Sequence, residues 1–331
     1  MKLKILMVVG GFASKEEPSF QPFVKGQIES IKALGHTVEI FNIKGNEFAG
    51  NYILKTISLR KFAAKFKPDI IHSHYSYVAF SALSTLPFPQ VISFMGDDIN
   101  GDFDINGNLT IRSYLHRPFA VIPAMFAKAV IVKSKGMMNN ISHKKVYVIP
   151  NGVNFSTFYG YSKADARKEL NLPQGKKYII FPGDVNDTNK KFHLTKAASD
   201  ILKNKFEIDH EILHMRTASQ IELNKYFNAV DALVFTSKSE GSPNVIKEAM
   251  ASNTPIVTVD VGDVKEVISN AKNCYIVKDT PEEIAEKLFA VLQDGKRTNG
   301  RKLINHLELS NIAKRVESVY RDVLVDVRNK N

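Results

Sequence analysis

Apolar residues along this chain fall into short uninterrupted runs separated by stretches with helical spacing. Lys4-Ile5-Leu6-Met7-Val8-Val9 ends in Gly10-Gly11 and predicts a buried parallel strand with its turn. Phe23, Gln27, Ile28, Ile31 and Leu34 then follow a 3.6-residue period that stops at Gly35. Further strands are expected at Thr37–Phe41, Asp69–His72, Gln90–Phe94 and Ala129–Val132, with helices at 52–67 and 77–86 between them. After Val146-Tyr147-Val148-Ile149 the turn cluster Pro150-Asn151-Gly152 breaks the pattern, and it restarts at Tyr178–Phe181. Strands at Glu211–Leu213, Ala232–Phe235 and Pro255–Val259, a helix near 164–170 and a closing helix over 311–327 complete the second series. Strands alternating with helices predict two doubly wound α/β domains in tandem. Ligands of such sheets sit beyond the carboxyl ends of the strands, so the loops after strands matter most.

The length of 331 residues agrees with two domains, and a hydrophobic fraction of 44% excludes a disordered chain. One cysteine, Cys274, cannot form an internal disulfide, which excludes a disulfide-stapled scaffold. No signal-peptide pattern opens the chain and no apolar window is long enough to cross a bilayer, so a soluble, intracellular protein is expected. Residues 1–150 carry 18 Lys and Arg against 10 Asp and Glu, whereas residues 151–331 carry 27 against 24. The basic half is expected to meet an anionic surface or substrate, or else to present a solvated basic face.

The richest segment runs from Ser237 to Met250. It follows an apolar strand and opens a helix, with Ser242 expected at the N-cap and Pro243 as first helical residue. Free amides at Gly241–Asn244 suit an anion. Glu240 and Glu248 bracket them, and ionised carboxylates accept hydrogen bonds from hydroxyls. Phosphate beside many hydroxyls describes a nucleotide or a sugar phosphate; a plain capped helix with surface glutamates is the alternative.

Glu240-x7-Glu248, with Gly-Ser-Pro after the first glutamate and Ala-Met after the second, resembles the signature of retaining glycosyltransferases of family 4. Nearly the whole chain shares the resemblance: Gly10-Gly11, Ile149-Pro150-Asn151-Gly152-Val153-Asn154, Phe181-Pro182-Gly183-Asp184 with Lys190, and Thr258–Glu266 each match a family segment. The wording of Ser93–Asp98 and Glu240–Asn244 is closest to bacterial enzymes of surface-polysaccharide synthesis, of the teichuronic acid or capsule type. The resemblance implies the GT-B architecture, two Rossmann-like domains facing a central cleft. An acceptor-side domain would span 1–155 and be joined by the helix 311–331; a donor domain would span 156–310. It also implies transfer of a sugar, with retained configuration and without a metal or other cofactor, from a nucleoside diphosphate, UDP for preference. The acceptor would be a hydroxyl of a saccharide or lipid-linked saccharide. Glu248 would hold the ribose, Glu240 with Gly241, Ser242, Pro243 and Asn244 the donor sugar and diphosphate, and Lys190 the leaving diphosphate. Gly11 and Gly183 would allow close backbone approach to the donor. Two positions depart from the family: Met95 replaces the strand-end histidine, which moves catalytic weight to Asp97, Asp98 and Glu240. The donor-domain arginine is replaced by Asp184 or Asp187, leaving Lys191 as a second cation or as a plain surface charge.

Other signals carry less. Asp102-x-Asp104-x-Asn106-Gly107 begins like a calcium loop, but Ser113 stands where a glutamate is required. His72-x-His74 would share one side of a strand without a third metal ligand, leaving His74 as a candidate acceptor contact. Base choice is expected in the loop 213–219. The helix 52–67 sets Lys55, Arg60, Lys61, Lys65 and Lys67 beside apolar residues, the pattern of a core-facing helix or of one lying on an anionic membrane. No nucleic-acid motif accompanies the basic charge. The alternatives to a transferase are a nucleotide-sugar epimerase on the same plan and a non-catalytic sugar-binding protein. A cytoplasmic protein, peripheral at the inner membrane face through its basic half, is the expected location.

Overall fold

The structure, a computed structural model, describes residues 2–11, 22–43, 50–101, 109–215 and 219–329, with the side chains of all but residues 50–54, 97 and 112. Contacts divide the chain into two compact units, Met1–Gly152 with Leu309–Asn331, and Val153–Glu308.

In the first unit the strands are β1 (Lys4–Val9), β2 (Thr37–Asn42), β3 (Ile70–His74), β4 (Gln90–Ser93), β5 (Ala129–Val132) and β6 (Val146–Val148). They form one sheet in the order β2-β1-β3-β4-β5-β6, every pair parallel. Strands β3, β4 and β5 are buried along their whole length; β5 is accordingly an unbroken apolar run, whereas β3 and β4 also bury polar residues, among them His72, His74, Gln90 and Ser93. The helices are α1 (Pro22–Ala33), α2 (Gly50–Phe66), α3 (Ser76–Ala82), α4 (Asp97–Asn100), α5 (Ile111–Phe126) and α6 (Lys135–Met138). Helix α2 turns Leu59 and Ala63 into the core and packs Phe62 and Phe66 against it, while Lys55, Arg60, Lys61 and Lys65 are exposed. The expected basic helix is thus core-facing with a solvated outer side.

The second unit repeats the plan. Its helix α7 (Lys163–Glu169) precedes β7 (Lys177–Pro182), α8 (Phe192–Asn204), β8 (His210–Met215), α9 (Gln220–Ala229), β9 (Ala232–Phe235) and α10 (Asn244–Ala251). Then come β10 (Ile256–Val259), α11 (Val264–Val267), β11 (Cys274–Val277), α12 (Pro281–Asp294) and α13 (Gly300–Leu303). Its sheet is all parallel in the order β11-β10-β9-β7-β8. The last helix, α14 (Leu309–Arg328), returns to the first unit and buries Ile312, Ala313, Val316, Val319, Tyr320 and Val323, with α1 among its neighbours.

Counted within each unit, both sheets share the strand order 2-1-3-4-5, the first continuing to a sixth strand, so the order reverses between the first and third strands. Loops diverge at that point and leave a crevice at the carboxyl ends. In the first unit it lies between β1 and β3, in the second between β7 and β9.

Candidate functional site

The crevice of the second unit is built from the loops after β7, β9 and β10. Lys190 stands in the short helical turn after β7, and Glu240 in the loop between β9 and α10. Their side chains meet, Nζ donating to Oε1 at 2.6 Å, with about a fifth to a quarter of each still open to solvent. Fifty positions separate the two in sequence; the switch point brings them together.

Several groups fix this pair. Asn189 zips the two loops: its side chain donates to the Ser239 carbonyl at 3.0 Å and accepts from the Ser239 amide at 3.1 Å, while its own carbonyl accepts from the Lys238 amide at 2.8 Å. Thr236 at the end of β9 donates its hydroxyl to the Lys190 carbonyl at 2.8 Å. Gly183, at φ +151°, has the Lys190 stem so close that an added Cβ would stand 3.2 Å from it. Glycine there gives both the dihedral and the room. Lys191 adopts a left-handed conformation at φ 48° and its ammonium pairs with Asp279, so it is committed away from Lys190. Asp184 and Asp187 accept backbone amides two residues on, from Asn186 at 3.0 Å and Asn189 at 2.9 Å; they shape the turn.

Beneath the loop lies a buried polar relay. Ser242 Oγ donates to Asp263 Oδ2 at 2.6 Å and accepts from Lys247 Nζ at 2.7 Å. Ser242, Lys247 and Asp263 are all buried. The expectation that Ser242 caps the helix is corrected: α10 begins at Asn244, Pro243 occupies the N-cap position at ψ 118°, and no side chain caps it. The hydroxyl is drawn instead to two buried opposite charges, whose desolvation costs more than an uncapped amide near solvent. Burial lowers the Lys247 ammonium from its ordinary range against the pull of Asp263 and Glu248. Burial likewise raises the Asp263 carboxyl, opposed by Lys247 and the Ser242 hydroxyl. Asp263 Oδ1 and the Ser237 hydroxyl are buried without a hydrogen-bond partner. Gly262, at φ +62°, lets the β10 turn approach the Gly241 carbonyl, which an added Cβ would meet at 3.0 Å.

Glu248 lies on the second turn of α10. Some of the residue's surface stays accessible while its carboxyl is enclosed, and this burial lifts it to about 7, against Lys247 and a hydrogen bond from Gln220. It can therefore be neutral or ionised near neutral pH. Lys190, Glu240, Gly241–Asn244 and Glu248 thus belong to the loops and helix at one sheet's carboxyl edge, with the α10 N-terminus contributing a positive dipole end.

The first unit's crevice differs. His72 is held between Tyr320 (Nδ1 to hydroxyl, 2.6 Å) and Ser93 (Nε2 to hydroxyl, 2.8 Å) and stacks on His74 with ring centroids 4.5 Å apart. Burial and nearby Lys133 depress His74 to about 3, and neither of its ring nitrogens has a hydrogen-bond partner. Both rings are neutral at physiological pH. The Asp98 carboxylate accepts the amides of Met95 (2.9 Å), Gly96 (3.0 Å) and Ser76 (3.2 Å), joining the turns after β3 and β4. Gly11 is buried just after β1. A cavity beside Asp98 is lined by Tyr75, Ser76, Asn100, His116 and Arg117. The Asp97 side chain, the segment 102–107 and positions 216–218 of the expected base-choosing loop lie outside the described residues. Among the described residues no cluster of three metal-ligating side chains occurs.

Sequence reasoning missed Asn189, Thr236 and the bridging partners Lys247 and Asp263. Asn189, Thr236 and Asp263 were signalled only by position after a strand and Lys247 only by its place on α10, and strand order had to be known to use either.

Comparison with known proteins adds the family. Residues 10–157 match the model described as Glycosyltransferase Family 4 and residues 176–294 the one described as Glycosyl transferases group 1. The chain is 26% identical over 254 residues to TuaC of Bacillus subtilis, a protein named for teichuronic acid biosynthesis. That match covers 71% of this chain and 63% of TuaC, so the chain spans less than two thirds of that relative. Among solved structures, sucrose-phosphate synthase from Thermosynechococcus elongatus superposes with a TM-score of 0.81 at 17% identity, covering 98% of this chain and 100% of that one. Anabaena HepE in complex with UDP and glucose gives 0.70 at 16%, covering 97% and 100%. With a family 4 domain in its first half and a group 1 domain in its second, on two parallel α/β sheets of the GT-B type, the chain belongs to the family 4 glycosyltransferases.

Proposed function

We propose that this chain transfers a sugar from a nucleoside diphosphate, UDP for preference, to a hydroxyl acceptor with retention of configuration. The acceptor class is a saccharide of cell-surface polysaccharide synthesis. The observation that carries the reading is the Lys190–Glu240 pair at the second switch point, beside the N-terminus of α10. HepE, a structural neighbour, binds UDP and glucose, which supports the same ligand class here.

An ammonium has three donors, so Lys190 can keep Glu240 and still donate to a diphosphate oxygen. Negative charge grows on the departing diphosphate as the sugar C1–O bond breaks, and Lys190 with the α10 dipole would stabilise it. Glu240 would hold sugar hydroxyls, and Glu248, ionised above about pH 7, would accept from the ribose hydroxyls. The acceptor oxygen forms the new bond to C1 and its proton leaves with the diphosphate. Buried Lys247, Ser242 and Asp263 position the loop and touch no substrate in this scheme.

The test is a product assay with UDP-, GDP- and ADP-sugars against saccharide acceptors, with the anomeric configuration of the product read by NMR. A retained α- or β-linkage supports the proposal. An inverted linkage, or a new free sugar epimer made without acceptor, overturns it.

A further inference from the structure

Helix α5 inverts the usual rule for a surface helix. Its inner side carries small residues: Ala120 and Ala124 are buried against the core that holds Ile92, Phe94, Val130 and Val132. Its outer side is apolar. Ile111, Tyr114, Leu115, Val121, Ile122, Met125 and Phe126 are all exposed, Leu115 by 67% and Met125 by 72%. At 100° per residue these seven, with exposed Pro118, fall within one continuous face of the helix, about 24 Å long. At its edge Tyr114 and Val121 share a cavity with Asp98, whose carboxylate is held by the amides of Met95, Gly96 and Ser76. From residue 105 to Gly152 the chain has seven Lys and Arg and no Asp or Glu, and Arg117 and Lys128, beside and just past the apolar face, are exposed. A monomer rarely leaves so large an apolar face in water unless something covers it.

We propose that the α5 face docks the protein on an anionic lipid bilayer, lying in the plane of the interface. No helix among the described residues is long and apolar enough to cross a membrane. An apolar face with basic flanks is the composition that binds such surfaces, apolar side chains entering the acyl boundary while the basic groups meet lipid phosphates. A protein partner or a second copy would need acidic groups opposite Arg117 and Lys128; a bilayer of anionic lipid supplies them everywhere. The sequence expectation of a membrane-facing basic helix moves accordingly from α2 to α5. This inference stands apart from the transferase reading, since it needs no nucleotide site.

The test is flotation of the full chain with vesicles of phosphatidylglycerol and phosphatidylcholine, and with phosphatidylcholine alone. The chain should float with the anionic vesicles, less so in high salt. Leu115→Glu/Met125→Glu should lower partitioning by at least about tenfold while leaving the melting temperature unchanged, because both side chains face solvent. Ile57→Glu, a change at an exposed apolar residue of α2, should alter it less than about twofold. Wild-type protein that stays unbound, or a double variant that floats like wild type, overturns the proposal. So does light scattering that shows a dimer dissociated by the double variant when neither protein floats.

Discussion

The two units share a strand order and place opposite chemistry at the same topological point. Between β7 and β9 the crevice holds a solvent-reachable ion pair, Lys190–Glu240, resting on buried charged groups joined through one serine hydroxyl. Between β1 and β3 the residues of β3 that end at the crevice are neutral: His72 and His74 are stacked, enclosed and uncharged. A parallel sheet fixes where loops diverge, and the residues on those loops decide what the divergence can hold. Among the described residues, the second crevice holds a solvent-reachable ammonium of the kind a multiply charged ligand needs.

The sharpest way to break that contrast is to remove the cation. Lys190→Ala should lower transferase kcat by about 10²–10³-fold, the usual loss when one preorganised donor to a developing anion is removed. His74→Leu, a change in the other crevice, should leave nucleotide affinity where it was; steady-state kinetics and calorimetry compare the two.

Titration distinguishes the units next. Glu248 has its carboxyl raised to about 7 from 4.5, so the folded state binds its proton more tightly than the unfolded state. Its stabilising contribution is complete below about pH 4.5 and is lost as pH rises to about 7. Glu248→Gln should therefore gain up to about 3 kcal/mol over wild type at pH 8 and nothing at pH 4.5, read from denaturant melts. The same variant should lose any rise in UDP affinity between pH 6 and 8. His74 runs the other way. Depressed from 6.5 to about 3, it contributes stability above pH 6.5 that is lost as pH falls towards 3. Replacing it with leucine should remove about 2 kcal/mol of the stability lost between pH 7 and pH 5.

The smallest expected effect belongs to the relay. Ser242→Ala leaves Asp263, already with one oxygen unpartnered, without its hydroxyl donor and takes an acceptor from Lys247. The cost should be about 1–2 kcal/mol in thermal melts, with Lys190 still in place.

Much of this fold was legible because parallel strands buried on both faces leave runs with no alternation, as in Ala129–Val132 and Ala232–Phe235. Helix α5 was not, since Pro118 and Pro123 read as breakers and its outer face is apolar. The Glu240–Glu248 segment stood out through its turn residues and paired carboxylates. Its support did not: a serine before a helix reads as a cap whether its hydroxyl turns to an amide or to buried Asp263 and Lys247. The meeting of Lys190 with Glu240 depends on strand order, which local sequence does not encode.

The most direct test of the central claim, that the second crevice takes a nucleoside diphosphate, is a thermal shift of wild type, Lys190→Ala and Glu248→Ala with UDP, GDP, ADP and CMP. A ligand at 100 times its Kd stabilises by about 2.7 kcal/mol. The account predicts that one diphosphate, UDP first, raises the wild-type melting temperature and that both variants lose the shift. No shift with any nucleotide, or a shift undiminished in Lys190→Ala, would contradict it.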